Sequence, residues 1–177
     1  MKSLAVAICL VAAPGLAAAQ EEWGGWRLDH RNQPAVLVGP AFENLIVTAA
    51  DDDQARSEPG GLVDLAFGLP VTDEGGELYL GLRVGGGGGE RRLVAPHLFY
   101  RAYAGHEAWK TYFDAGALLR IEPLVAVAAR IGLGVQYDFH ENWGAYLGAG
   151  GSLGYGQGLQ VGLDAGAGVQ FRFGTAG

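Results

Sequence analysis

From Leu159 to Phe173 the chain alternates without a break. Leu159, Val161, Leu163, Ala165, Ala167, Val169, Phe171 and Phe173 are apolar, and every residue between them is polar or glycine. A period of two sustained over this length places the two sets on opposite faces of one strand. The pattern recurs upstream. Trp143, Ala145, Leu147, Ala149, Leu153 and Tyr155 share a face within Asn142–Tyr155. Val125, Val127, Ala129, Ile131, Leu133, Val135 and Tyr137 do so within Leu124–Phe139. Shorter runs follow the same rule in Trp109–Ile121, Glu77–Gly85 and Gly61–Val71. Arg92–Tyr103 is less regular and holds Pro96, which predicts a bend or bulge. Ala35–Val47 is the eighth candidate and the least patterned, because Gly39–Pro40 interrupts it.

Turn-forming residues separate these runs, among them Asp73–Gly76, Gly85–Gly89, Glu122–Pro123, His140–Asn142 and Gly156–Gly158. Short connections throughout predict an antiparallel meander. A soluble barrel with its apolar face inward would show the same alternation, and the polar face decides between them. Between Leu124 and Phe173 the charged residues are Arg130, Asp138, Glu141, Asp164 and Arg172 alone. A water-facing surface carries about 25–35% charge. This face suits a narrow interior instead, and the Leu/Val/Ala face suits lipid. The fold predicted is all-β, an eight-stranded antiparallel up-and-down transmembrane β-barrel spanning residues 35–173.

An even strand count puts both chain ends on the periplasmic side. Outward Trp109, Tyr137, Phe139 and Trp143, with Phe171 and Phe173, then fall at that one end as an aromatic girdle. The same count makes Ala49–Gly60 an external loop and the longest connection. Inward positions hold Arg83, Arg101, Lys110, Arg120, Arg130 and Arg172 with Asp64, Glu77, Asp114, Asp138 and Asp164. Buried charges have to pair, and eight strands leave room for little beyond side chains. The expectation is a paired lumen network; a charged pore constriction is the alternative. Large inward residues (Tyr79, Phe99, Tyr103, Tyr112, Leu118) come from strands three to five. Gly and Ala dominate the inward positions of strands six to eight.

The first nineteen residues read as a secretory signal. Lys2 precedes an apolar run from Leu4 to Leu16, and Ala17–Ala18–Ala19 offers a small-residue cleavage site before Gln20. The run is short of the ~20 residues a membrane helix needs. Cleavage after Ala19 removes Cys9, the only cysteine, which excludes a disulfide scaffold or cysteine-based zinc site. Residues 20–34 form a periplasmic segment in which Trp23 and Trp26 lie among charges. It either tucks into the barrel mouth or rests at the membrane interface. Residues 174–177 are a tail. The net charge of −7 argues against a nucleic-acid binder, which needs a basic face.

Catalytic candidates are few. His97 and Ser152 face inward without a motif around them, and His106 and His140 lie in turns. The Gly85–Gly89 run lacks the Lys-Ser/Thr of a phosphate loop. Asp51–Asp52–Asp53 reads as a solvated loop or a place for a divalent cation shared with lipopolysaccharide or another chain. No catalytic, cofactor or metal site is expected.

The chain resembles the small eight-stranded outer-membrane β-barrel proteins of Gram-negative bacteria over roughly Ala35–Phe173. The end of the last strand carries the most specific part of the likeness. Gly168, Phe171 and Phe173 match the spacing of the C-terminal signal read by the barrel-assembly machinery: Gly, two residues, an aromatic, one residue, a final aromatic. The chain departs from it in placing Gly166 where a polar residue is usual, and in continuing for Gly174–Gly177. The resemblance implies an outer-membrane location and contact with membrane lipid and lipopolysaccharide. It implies a structural or surface-interaction role, or alternatively a narrow porin-like channel for small solutes.

Overall fold

The computed structural model describes residues 33–49, 55–72, 76–87, 92–104, 108–122, 125–140 and 142–173. The signal segment, Trp23, Trp26, Asp51–Asp53, His106, Glu141 and the tail lie outside the described residues. Among those described, the regular elements are all strands: β1 (Ala35–Ala49), β2 (Ala55–Pro70), β3 (Gly76–Gly87), β4 (Arg92–Ala104), β5 (Trp109–Arg120), β6 (Ala126–His140), β7 (Trp143–Gly156) and β8 (Gly158–Arg172). Each pairs antiparallel with the next, and β1 pairs with β8, so the sheet closes into an eight-stranded barrel. Closure satisfies the sheet edges that lipid could not. We call the end where β1 starts and β8 stops the base, and the opposite end the rim.

The alternation reads out as two surfaces. Leu80 and Val127 are each 64% exposed on the outside, and Leu65, Phe67, Leu133, Leu153 and Leu163 are exposed there too. Inward residues of the same wall are buried, among them Arg83, Arg101, Arg120, Gln136 and Gln170. The interior is not polar throughout. Leu45, Val47, Leu62, Leu93 and Leu118 are buried towards the rim. A barrel this narrow is a packed core, and a packed core takes apolar side chains as readily as paired charges.

Two prolines mark where the ladders are interrupted. Along the β1–β8 seam the register runs Val38↔Val169 and resumes at Ala41↔Gly166, omitting Gly39 and Pro40. Pro40 has no N–H to give. The backbones press together beside it, so that a Cβ on Gly39 would run into the Ala167 carbonyl oxygen. Pro96 is the upper limit of the β4–β5 ladder, which ends at His97↔Leu118. Beyond it a single bridge, Val94↔Glu122, is displaced by one residue, the irregularity expected at this proline. The β7–β8 turn at Gln157 is tight enough to hold Gly158 at φ 149°, where a side chain would be strained.

The stretch expected as the longest loop, Ala49–Gly60, is mostly strand. β1 runs to Ala49 and β2 starts at Ala55, with pairing from Thr48↔Ala55 downward. Ser57, Glu58, Pro59 and Gly60 look like turn residues, yet here backbone pairing continues above the apolar wall. On this outer face the Ser57 hydroxyl donates to Asn44 Oδ1 at 2.8 Å. Similarly, β3 continues to Gly87 and β6 to His140, into residues expected as turns.

Candidate functional site

The inward side chains form three levels. At the base, Arg172 Nη1 lies 2.5 Å from Glu77 Oε1, and Glu77 also accepts from the Tyr79 hydroxyl. Gln170 Nε2 donates to the Tyr79 oxygen at 2.7 Å. Gln136 Nε2 donates to both Gln170 Oε1 and Asp138 Oδ1 at 2.6 Å. Tyr103 donates to Gln136 Oε1 at 3.2 Å, and Asp138 is also paired with Lys110. These residues come from β3, β4, β5, β6 and β8, so the level spans the lumen from wall to wall.

The middle level is ionic. Arg101 meets Asp114 as a fork, Nε to Oδ1 at 2.7 Å and Nη2 to Oδ2 at 2.9 Å. Arg130 meets Asp164 the same way, at 3.0 and 2.5 Å. Arg83 Nε lies 3.0 Å from Asp64 Oδ2, and its Nη2 lies 3.5 Å from Asp164. His97 Nε2 is 3.5 Å from Asp64 Oδ1, and its ring stacks on Phe99 with centroids 4.4 Å apart. Paired forks of this kind offset much of the cost of burying both charges.

Towards the rim, Arg120 is completely buried. Its Nη2 donates to Glu43 Oε1 at 2.6 Å and to Ser152 Oγ at 2.9 Å. Glu43 was not legible as a lumen residue, because β1 presents apolar residues on both faces. Its signal is that it is the one charged residue between Ala35 and Val47.

The structure therefore brings Asp64, Arg83, Arg101, Lys110, Asp114, Arg120, Arg130, Asp138, Asp164 and Arg172 into the lumen, each with an opposite charge in reach. At the middle level a cavity has about 50 Å³ of room for water-sized spheres, bordered by Asp64, Arg83, His97, Arg101 and Tyr146. That is space for about three waters. Asp64 Oδ1, Arg83 Nη1, His97 Nδ1 and Arg101 Nη1 are buried without hydrogen-bond partners in the protein. Ser152 faces Arg120, and His97 faces Asp64, so the two inward catalytic candidates are not brought together. His140 is exposed at the end of β6. Among the described residues no group of three or more His, Cys, Asp or Glu is arranged to hold a metal ion.

On the outer face at the base, Trp109 packs on Tyr137 with centroids 4.7 Å apart. Trp143 packs on Phe171 at 4.7 Å, and Phe171 on Phe173 at 4.9 Å. Phe139 is exposed beside them. The Phe173 N–H donates to the Pro34 carbonyl at 2.9 Å, which ties the end of β8 to the start of β1. Gly168 lies two residues beyond Gly166 on the inner face, where a Cβ would crowd the Val38 carbonyl and the Tyr146 hydroxyl.

No protein-family model matches the chain, and no curated protein matches it. Solved structures do. Neisserial surface protein A superposes with a TM-score of 0.57 at 14% identity, covering 78% of this chain and 99% of that one. The outer membrane protein OprG from Pseudomonas aeruginosa gives 0.54 at 11% identity, with 84% and 99% covered. Ail, the attachment invasion locus protein of Yersinia pestis, gives 0.50 at 12% identity, with 81% and 99% covered. Closed strand order, inverted faces and these superpositions agree: the chain has the fold of the small eight-stranded outer-membrane β-barrels.

Proposed function

We propose that this protein is an integral outer-membrane barrel with a closed lumen, acting as a structural or surface-interacting element and not as a catalyst. The observation that carries the reading is the lumen itself. At each of three levels, charged and hydrogen-bonding side chains from several strands meet across the interior, and the cavity at the middle level has room for a few waters. A solute channel needs a continuous path, so the narrow porin-like alternative is the weaker reading.

The outer wall supports the compartment. Its apolar band, with the Trp109, Tyr137, Phe139 and Trp143 cluster at the base, fits a bilayer with one aromatic interface. The signal segment, with cleavage after Ala19, would deliver the chain to the envelope. Gly168, Phe171 and Phe173 would present its end to the barrel-assembly machinery. Once inserted, its neighbours are outer-membrane lipid and lipopolysaccharide. Two of the similar structures are named for a surface protein and for an attachment locus, which favours a surface role over transport.

Two measurements test this. Membrane fractionation places the protein with outer-membrane markers; recovery in the soluble periplasm overturns the reading. In planar bilayers the refolded protein is electrically silent; steady single-channel steps in simple salt return the channel to favour.

A further inference from the structure

Arg101 sits inside a ring of tyrosines. Its guanidinium carbon is 3.8 Å from the centre of the Tyr112 ring and 5.1 Å from that of Tyr79. It is 5.8 Å from both Tyr103 and Tyr146. The four rings come from β3, β4, β5 and β7 and so enclose it from different parts of the wall. Asp114 closes the remaining side with its two-bond fork. Aromatic faces joined by a carboxylate form a recognition site for a cation, and the plane and fork select guanidinium over a point charge.

Each ring also has a support other than Arg101. Tyr79 is held by Glu77 and Gln170, and Tyr103 by Gln136. Tyr112 fills the hollow beside Gly134 and Gly148, and Tyr146 the hollow beside Gly168. Taking away the arginine side chain thus leaves the rings and the carboxylate in place, next to the mid-lumen cavity that Arg101 already borders.

We propose that Tyr79, Tyr103, Tyr112, Tyr146 and Asp114 constitute a binding site for a planar organic cation of the guanidinium class, with Arg101 as its built-in occupant. The proposal rests on the closed-lumen reading and deepens it: at mid-height the barrel is stoppered by a tethered ligand. With Arg101 shortened, the site takes a free guanidinium ion from solution.

The test is chemical rescue. Arg101→Ala is refolded into phosphatidylcholine vesicles with low-millimolar guanidinium chloride, sodium chloride or urea, beside the wild type. Its folded yield and melting temperature fall in sodium chloride. Guanidinium recovers at least half of that loss, whereas urea, which has the shape without the charge, recovers none, and the wild type does not respond. Adding Tyr112→Leu to Arg101→Ala abolishes the recovery. No gain with guanidinium, whether the variant folds well or poorly, overturns the proposal, as does an equal gain with urea or sodium. The two readings fail separately: conductance by the wild type counts against the closed lumen, and absence of rescue counts against the cage.

Discussion

The ring of Tyr112 occupies the space that a side chain on Gly134 would need: a Cβ there would overlap the tyrosine Cζ and hydroxyl. The two residues face each other across the β5–β6 ladder, in the Tyr112↔Gly134 pair. Large and small residues are therefore matched inside the lumen by position.

That matching predicts a contrast between two glycines. Gly134→Val forces Tyr112 out of place and destabilises the barrel by about 1–3 kcal/mol. Gly151→Ala, where the nearest atoms to a Cβ are 3.8 Å away, changes stability by no more than about 0.5 kcal/mol. Urea unfolding in vesicles measures both.

Asp164 is the shared anion of the middle level, between Arg130 and Arg83. Asp164→Leu takes from buried Arg130 its two-bond partner and from Arg83 its second carboxylate, leaving Arg83 to Asp64 and Arg130 to Asp114 at 3.9 Å, and costs about 3–5 kcal/mol. Pairing it with Arg130→Met removes one of those charges and restores more than half of the loss. The midpoint of urea unfolding reads both variants, and an Asp164→Leu chain as stable as the wild type contradicts the assigned pairing.

Leu147 is 58% exposed on the outer wall. In lipid, Leu147→Arg costs about 2–4 kcal/mol near the bilayer centre and lowers the folded fraction in vesicles. A soluble barrel would tolerate this change, so wild-type stability of the variant means that the wall faces water.

Phe173 joins the girdle through Phe171 and ties β8 to Pro34. Phe173→Ser reduces the amount of heat-modifiable barrel recovered from cells. An unchanged yield shows that the terminal aromatic has no part in assembly.

The strand count, the order and the facing of β2, β3 and β5 to β8 were legible in the sequence because lipid outside and charge inside write opposite chemistries on alternate residues. β1 was harder to read. Leu37, Leu45 and Val47 are buried in the lumen while Val38 and Phe42 are exposed outside, so its two faces look alike, and Glu43 is lost among them. The upper part of β1–β2 reads as loop because it pairs by backbone above the apolar wall, where no hydrophobic alternation is required. Which arginine meets which carboxylate was not legible either. Arg120 reaches Glu43 from β5 to β1 and Arg130 reaches Asp164 from β6 to β8. Such cross-lumen partners are set by the stagger of the closed barrel, which no single strand encodes.

Closure of β1 on β8 also has a consequence in time. Ala35 pairs with Arg172, near the two ends of the folded chain, so the last strand made completes the ladder begun by the first. Until it arrives, a seven-stranded intermediate has two open edges, Asp164 and Arg172 are not yet available to Arg130 and Glu77, and contacts this distant in sequence form slowly. Arg130 and Glu77 are therefore neutralised in one late step, whereas Arg101–Asp114, Arg83–Asp64 and Lys110–Asp138 join strands that are already neighbours. Until closure both edges carry unpaired backbone groups, so the unfinished sheet is the form of this chain most open to pairing with other strands.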